Sequence, residues 1–590
     1  MKQYNIRYKD KEYQASEYQN KILDFVEHGA GNGFINACAG ASKTTMLENM
    51  LYYIPQNKKA IFIAFNKSIV EEMNKRLQSH DVNDNIKIAT YHSLGYSILR
   101  ENISNYDLEI DEDKYKNYIK ENICNLTSYG EIASLGKERY AYRQNIIHLV
   151  DYARYYRQSS IKAMENLAKQ YGLAIVRDEI QVARKVLQWG RDNIKTIDFT
   201  DMIWLVDELN LTTKMYQYDY ILIDEAQDTS IMQQEMTEKC KKRGCRIFAV
   251  GDKDQAINVW CGSDYKSIEK FNNETSQTFI LPITYRCSKN IVEMARKFSD
   301  NIIAADNAPE GEVNYDVSLS MPSGNDMVLC RTTSPLVEYY LKLLQMNKKA
   351  YFKGSDDLIA EYKSLIKENY SKILDKNCLS CDGLFPKLYI KLFNEIDNIK
   401  ILNASNDDED ALKHPTILNL YDNIEALKIL SEGILETDEL LTKITDIFND
   451  RSTDGIMLST IHKAKGLESD SVFILCPSQL PSKLAKKDWE IEAEKHLTYV
   501  AYTRARFSLN FLEEDKKMRS SSLFSFKKMK KDIEEMREKL NFNRELNITA
   551  ISIPKHAPTA HTLGEKIFIS TNEINTKKKI KGGLKFKNLL

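Results

Sequence analysis

The run Ile221-Leu222-Ile223-Asp224-Glu225-Ala226-Gln227-Asp228, entered from Tyr220 and left through Thr229 and Ser230, constrains this chain more than any other stretch. Apolar residues that stop abruptly at two adjacent acids read as a buried strand delivering carboxylates to the carboxyl edge of a parallel sheet, where the ligands of open α/β folds sit. There Asp224 is placed to hold a hydrated Mg²⁺ and Glu225 to orient or deprotonate an attacking water. Taken alone, the run also fits an element boundary that uses acids for structural reasons. Its meaning depends on a phosphate loop before it and on charge-neutralising arginines after it.

Such a loop is present. Gly33-Phe-Ile-Asn-Ala37-Cys38-Ala39-Gly40-Ala41-Ser42-Lys43-Thr44-Thr45 leads into Met46, Leu47 and Met50 at helical spacing, giving strand, small-residue loop, helix. Backbone N–H groups of Ala39, Gly40, Ala41, Ser42 and Thr45 and the helix N-terminus can surround phosphates, with Lys43 neutralising charge and the Thr44 hydroxyl ligating Mg²⁺. The loop departs from the general pattern at Ser42, where glycine normally lets the backbone approach the phosphate. Serine there costs free energy if the conformation needs positive φ, although its hydroxyl can also donate to a ligand.

The same device recurs along the chain. Ala60 to Ala64 reads as a strand ending in Phe65-Asn66-Lys67, and Ile88-Ala-Thr90 as a strand ending in Tyr91-His92-Ser93. Ile247 to Gly251 ends in Asp252-Lys253-Asp254-Gln255 and is trailed by Trp260; Leu281-Pro-Ile-Thr284-Tyr285-Arg286 supplies an arginine. Polar groups and aromatics at several strand ends suggest a shared edge that meets a phosphate backbone. For His92 the plain alternative is a hydrogen-bonded structural histidine, and for Trp260 a core residue. Upstream, Ser16-Glu17-Tyr18-Gln19 precedes a helical pattern, and Gln19 is placed either to read an adenine edge or simply to be solvated.

From about Arg100 to Lys195 the texture becomes helical and rich in Tyr, Lys and Arg; its aromatics at Tyr152, Tyr155 and Tyr156 read as core and rim. A second α/β texture opens at Met327-Val-Leu-Cys-Arg331-Thr332. Helical, partly acidic sequence from roughly Glu361 to Asp450, including Asn406 to Asp410, interrupts it. It resumes at Ser459-Thr460-Ile-His462-Lys463-Ala-Lys465-Gly466-Leu467-Glu468, and Leu497 to Arg506 reads as a helix presenting Arg504. At 590 residues the chain has room for several domains. We expect an α/β protein: 1–100 with 195–285 as one parallel-sheet domain, 101–194 its helical insertion, 286–360 with 451–515 a second, 361–450 its shorter insertion, and 516–590 a basic extension.

Composition narrows the class. No apolar run reaches the roughly 18 residues of a membrane span, and the N-terminus has no apolar signal core, so an intracellular, cytoplasmic protein without a membrane partner is expected. Ten cysteines in 590 residues are too sparse for a disulfide scaffold, and neither Cys378 with Cys381 nor Cys240 with Cys245 has a second pair to complete a zinc site. The net charge of −1 hides an asymmetry: residues 516–590 carry 18 Lys plus Arg against 7 Asp plus Glu, and six lysines fall between Lys577 and Lys587. Such an extension is either solvated or adds weak, sequence-independent attraction to phosphates. The Lys, Asn and Ile richness fits an AT-rich genome such as a phage's.

Taken in order, these stretches resemble the superfamily 1 helicases of the UvrD/Rep/PcrA type, with Phe65-Asn66-Lys67 and Tyr91-His92-Ser93 closest in texture to the F-box DNA helicase and phage branch. The resemblance spans about Ala15 to Phe511 and draws its specificity from many motifs in one order. It implies two RecA-like motor domains, ATP and Mg²⁺, single-stranded and tailed duplex DNA, 3′ to 5′ movement, and partners in replication, recombination or repair. It makes Gln19 the adenine reader, Tyr285 the residue stacked on that base, Lys43 and Thr44 the phosphate and metal residues, Asp224 the metal ligand and Glu225 the water-orienting base. Gln255, Arg286 and Arg504 would meet the γ-phosphate, and Glu468 beside Gly466 the ribose. Phe65, Asn66, Tyr91, His92, Trp260, Arg331, Thr460 and His462 match positions that touch single-stranded DNA or couple it to the nucleotide. Cys261 departs from the arginine many relatives carry there.

Overall fold

The computed structural model describes residues 2–8, 11–78, 85–103, 107–126, 138–171, 173, 175, 178–257, 276–377, 382–402, 408–448, 454–485, 488–514 and 526–551. Trp260, Cys261, Cys378, Cys381, Asn406 and Lys577 to Lys587 lie outside them.

Two parallel sheets of six strands each organise the chain. We number their strands β1 (Gly33–Ala37), β2 (Ala60–Ala64), β3 (Ile86–Thr90), β4 (Tyr218–Ile223), β5 (Lys241–Gly251) and β6 (Gln277–Leu281) in the first. The second holds β7 (Glu312–Val317), β8 (Met327–Cys330), β9 (Ala350–Phe352), β10 (Ile456–Thr460), β11 (Ser469–Ile474) and β12 (Ala505–Leu512). The spatial orders are β6-β1-β5-β4-β2-β3 and β7-β12-β11-β8-β10-β9. Every pairing within them is parallel, Ile221 facing Ile61 and Ile247, and Leu329 facing Ser459 and Ile474. Continuous apolar sequence suits this arrangement, because helices cover both faces; all five residues of β2 and the last four of β4 are buried. With strands parallel, all their carboxyl ends share one edge, which is how distant sequence motifs come together.

The resemblance in build between the sheets extends to a strained detail. Each delivers a strand into a left-handed residue followed by a 3₁₀ turn: Glu225 (φ 49°) before Ala226–Asp228 after β4, and Cys476 (φ 54°) before Pro477–Gln479 after β11. One apolar core is continuous between the lobes, running from Ile35, Ala39 and Phe248 to Leu329, Val472, Tyr499 and Leu509.

Helices Lys114–Leu126, Glu138–Tyr156, Ile161–Gln170 and Glu179–Asp192 form an insertion within the first lobe. Its tie to the lobe is a buried charge cluster. Arg154 contacts both oxygens of Asp198 at 2.9 and 2.8 Å and Asp201 at 3.0 Å, and Lys114 contacts Asp201 at 2.7 Å. Helices Ser355–Glu368, Leu384–Leu402, Pro415–Leu430 and Thr437–Phe448 build the second insertion. Its core also takes Met529, Ile533 and Leu540 from the helix Phe526–Ile551. Part of the expected basic extension is therefore packed as a helix against this core. The helix is bonded in place, Tyr421 Oη donating to Asp532 at 2.7 Å and Arg537 lying over Phe393. Positive charge in 516–590 masked an apolar stripe at helical spacing. Among the described residues no helix is long and apolar enough to cross a membrane, and no group of three or more His, Cys, Asp or Glu is arranged to hold a metal.

Candidate nucleotide and nucleic-acid site

The phosphate loop lies at the end of β1, and the helix Lys43–Tyr52 starts immediately after it. Ser42 adopts φ 61°, ψ 43°, the left-handed conformation that favours glycine, and its side chain makes no capping bond. Gly40 is also left-handed (φ 74°), and a Cβ there would come within 2.5 Å of Arg286 Cβ and Thr284 Oγ1. The Gly40 carbonyl accepts the Tyr285 N–H at 3.0 Å, and the Ala41 N–H donates to the Cys38 carbonyl at 3.2 Å. Thr45 is buried in the first turn of the helix.

Lys43 Nζ stands 3.5 Å from Glu225 Oε2, and the Thr44 hydroxyl donates to Asp224 Oδ2 at 3.1 Å. Burial works against the charge of Lys43, but Glu225, Asp252 and Asp224 outweigh it and hold its pKa above the ordinary value. Burial and the neighbouring Glu225 push the Asp224 carboxyl up; Glu225 lies below the usual range, because Lys43 and Lys465 overcome its own burial. Asp224 is therefore a carboxylate short of positive charge beside a threonine hydroxyl, a donor set of hard oxygens that suits Mg²⁺.

The second lobe reaches this site through several contacts. Arg504 is 1% exposed; its guanidinium donates to Gln255 Oε1 at 3.1 Å, while Gln255 Nε2 donates to Asp252 at 2.6 Å. Burial and the nearby Arg286 lower the pKa of Arg504, whose guanidinium otherwise donates to the Val500 and Leu467 carbonyls and the Thr503 hydroxyl. Lys465 donates to Asp228 at 2.5 Å and to the Gln255 carbonyl at 2.8 Å. Arg286 binds Glu468 at 2.6 Å and the Thr503 carbonyl at 3.2 Å, so Glu468, expected at the ribose, here holds an arginine. Gly466 is left-handed (φ 86°) with open space where a Cβ would be. Gln19 is buried, and its Oε1 accepts the Ser16 N–H at 2.9 Å in a capping box. It lies with the half-exposed Tyr285, Ala41 and Pro282 around one recess.

Further along the carboxyl edges, Phe65 is 52% exposed, and Asn66 Oδ1 accepts the Ile69 N–H at 3.0 Å, capping the helix Lys67–Gln78. His92 is exposed and meets Phe199 edge-on at 6.2 Å. Tyr91 is 7% exposed, with its hydroxyl 2.9 Å from the Thr237 hydroxyl, so it faces the core and fits the coupling side of its expected role rather than direct DNA contact. Arg331, Thr460 and His462 line a cavity of about 420 Å³ in the second lobe, shared with Lys353, Lys463 and Glu494. Arg331 is gripped there by Glu494, Nε at 3.0 and 3.1 Å from its two oxygens and Nη2 at 2.5 Å.

Several participants escaped the sequence reading. Gln227, fully buried, donates to Glu225 at 2.6 Å and accepts the Asp252 N–H at 3.0 Å. Tyr499 accepts the Ala39 N–H at 3.1 Å. Phe199, 47% exposed, meets His92 edge-on and stands between the helical insertion and the acidic strand. Asp228 and Lys465 were visible as letters but carried no signal that they would meet.

A phosphate loop, an acidic strand end and a second lobe supplying arginines to the same edge define a two-lobed RecA-like protein. Residues 18–276 match the UvrD/REP helicase N-terminal domain. The ATP-dependent DNA helicase PcrA of Leuconostoc citreum is 27% identical over 47% of this chain and 38% of its own length. The ATP-dependent DNA helicase Rep of Buchnera aphidicola is 23% identical over 82% and 93%, and PcrA of Staphylococcus epidermidis is 22% identical over 91% and 89%. Over these spans the chain is similar to superfamily 1 helicases of the UvrD/Rep/PcrA type.

Proposed function

We propose that this protein is an ATP-dependent DNA helicase that moves on single-stranded DNA in the 3′ to 5′ direction and serves replication, recombination or repair, with partner proteins from those processes. The observation that carries the reading is the meeting of Arg504 with Gln255 across the lobes, where Gln255 is itself bonded to Asp252, one of the acids whose charge acts on Lys43. A site divided between two rigid bodies does mechanical work when its ligand changes. ATP bound at the loop bridges the lobes; Lys43 and the two arginines offset the charge that develops on the transferred phosphoryl group, an effect of roughly 10³-fold or more in related NTPases.

Within the reaction, Glu225 takes the proton of the attacking water, with its carboxylate held by Gln227 Nε2. Gln19 and Tyr285 orient the base, and Glu468 exchanges Arg286 for the ribose. Thr44 and Asp224 would hold Mg²⁺, which would supply charge neutralisation to the phosphates. Loss of the terminal phosphate removes the bridge and lets the lobes part. Alternating grip by Phe65, Asn66, His92 and Phe199 on one lobe and Arg331, Thr460 and His462 on the other turns each cycle into a step. The division at 1–100/195–285, 101–194, 286–360/451–515 and 361–450 belongs to the same reading, with residues 526–551 assigned to the second insertion.

DNA-stimulated ATPase, run beside strand displacement on 3′-tailed and 5′-tailed duplexes, tests this. ATP turnover with unwinding from the 3′ tail is expected, and collapse of both in Lys43→Ala and Glu225→Gln. Unwinding from a 5′ tail alone overturns the polarity, and folded protein without DNA-dependent phosphate release overturns the function.

A further inference from the structure

Helix Asp488–Tyr502 touches three separate parts of the molecule through buried side chains. Midway along it Glu494, 8% exposed, holds Arg331 by two nitrogens and also accepts the Ser482 N–H at 2.9 Å, fixing the carboxylate against a loop of its own lobe. Two residues on, pointing the opposite way, His496 Nδ1 lies 3.1 Å from the Ala256 carbonyl of the first lobe. Tyr499 then accepts the Ala39 N–H of the phosphate loop, and just past the helix Arg504 meets Gln255. At ~1.5 Å of rise per residue, about 7 to 8 Å of helix axis separates the Arg331 grip from the phosphate-loop contact. Every residue from His496 to Ala505 is buried, so the segment cannot shift at one end without moving at the other.

We propose that Glu494 is a positioning residue that couples the Arg331 cavity to the phosphate loop through this helix, with Tyr499 as its other terminal. The proposal rests on the DNA reading of that cavity. An anionic backbone entering it competes with Glu494 for the Arg331 guanidinium. The displaced carboxylate retains the Ser482 N–H, and its helix moves relative to β8. Tyr499 carries that displacement to Ala39, whose N–H is one of the loop donors a phosphate would use. Coupling is reciprocal, so nucleotide at the loop alters DNA affinity by the same factor.

The test is the ratio of dissociation constants for a fluorescent oligothymidine measured with and without a non-hydrolysable ATP analogue and Mg²⁺. In the wild type the ratio should depart from one by a factor within the range of about 5 to 150 common for coupled sites. In Glu494→Gln, which keeps the side chain's shape, and separately in Tyr499→Phe, it should fall to about twofold or less, in the direction of independent sites. A side chain that merely supports the fold would change both affinities and leave the ratio alone. A wild-type ratio of one, or an undiminished ratio in folded Glu494→Gln, overturns the proposal. If Glu494→Gln does not fold, an undiminished ratio in Tyr499→Phe does so. Arg331→Ala that binds the oligonucleotide as tightly as wild type sinks the DNA reading of the cavity instead.

Discussion

Replacing Ser42 with glycine should stabilise the first lobe, and the size of the effect follows from the backbone. Ser42 sits at φ 61°, ψ 43°, where a non-glycine residue is strained by ~1–2 kcal/mol because its Cβ crowds the following carbonyl. Glycine removes that crowding but gives back about 0.5–1 kcal/mol through the greater freedom of its unfolded chain. The serine hydroxyl makes no capping bond, so nothing is lost there. The net expectation for Ser42→Gly is a gain of roughly 0.5–1 kcal/mol, which is about 1–4 °C for a cooperative unit of one lobe's size. Ser42→Ala keeps the Cβ and should stay within about 0.5 kcal/mol of wild type. Differential scanning calorimetry provides the measurement, and the relevant transition is the one that ATP with Mg²⁺ moves upward, since a ligand stabilises the unit that binds it. Ser42→Gly melting at or below wild type, or Ser42→Ala gaining as much as Ser42→Gly, would refute the strain argument. The same samples report whether the hydroxyl donates to the nucleotide, because Ser42→Gly would then be more stable yet bind ATP more weakly.

Gly40→Ala should do the reverse: its Cβ would lie 2.5 Å from Arg286 Cβ and Thr284 Oγ1 at φ 74°, so a loss of about 1–3 kcal/mol and an ATPase reduced at least tenfold are expected in melting and phosphate-release assays. Lys465→Met removes the ammonium that meets Asp228, whose side chain is 2% exposed and keeps Gln227 Nε2 at 3.4 Å, so the cost should stay below the ~3–5 kcal/mol of a fully broken buried pair and is relieved by opening the lobes. Small-angle scattering should show a larger nucleotide-free radius of gyration in that variant, and Asp228→Asn on top of it should bring the radius back. Ending the chain after Glu514 removes Met529, Ile533 and Leu540, at 1%, 4% and 5% exposure, each side chain worth about 1.5–3 kcal/mol of burial. Limited proteolysis should then cut the helices between 355 and 448 faster than the rest; an unchanged pattern would show that the helix contributes nothing to that core.

The nucleotide half of the site is written locally. Ile221 to Asp224 and Gly33 to Thr44 each specify a strand, a turn and the chemistry at its end, so their places at one sheet edge follow from parallel topology alone. Ser42 was legible as a departure at a position where glycine is usual, and only the structure, with its φ of 61°, decides that the backbone there is left-handed. Partnerships between segments are different. Lys465 with Asp228, Arg331 with Glu494 and Tyr499 with Ala39 join positions 237, 163 and 460 residues apart, and a single sequence carries no signal for such distances. Tyr91 looked like its exposed neighbour His92 because the roughly 100° between adjacent helical residues is enough to separate a core face from a solvent face, and which face packs is a tertiary fact. The segment after 516 was read by its charge, whereas a helix is placed by its apolar stripe once there is a core to receive it. Sequence alone thus determined which chemical groups stand at the strand ends, since strand, turn and terminus are short-range properties of the chain. The tertiary structure decided which of those groups face each other across the lobes, because that choice is made by packing.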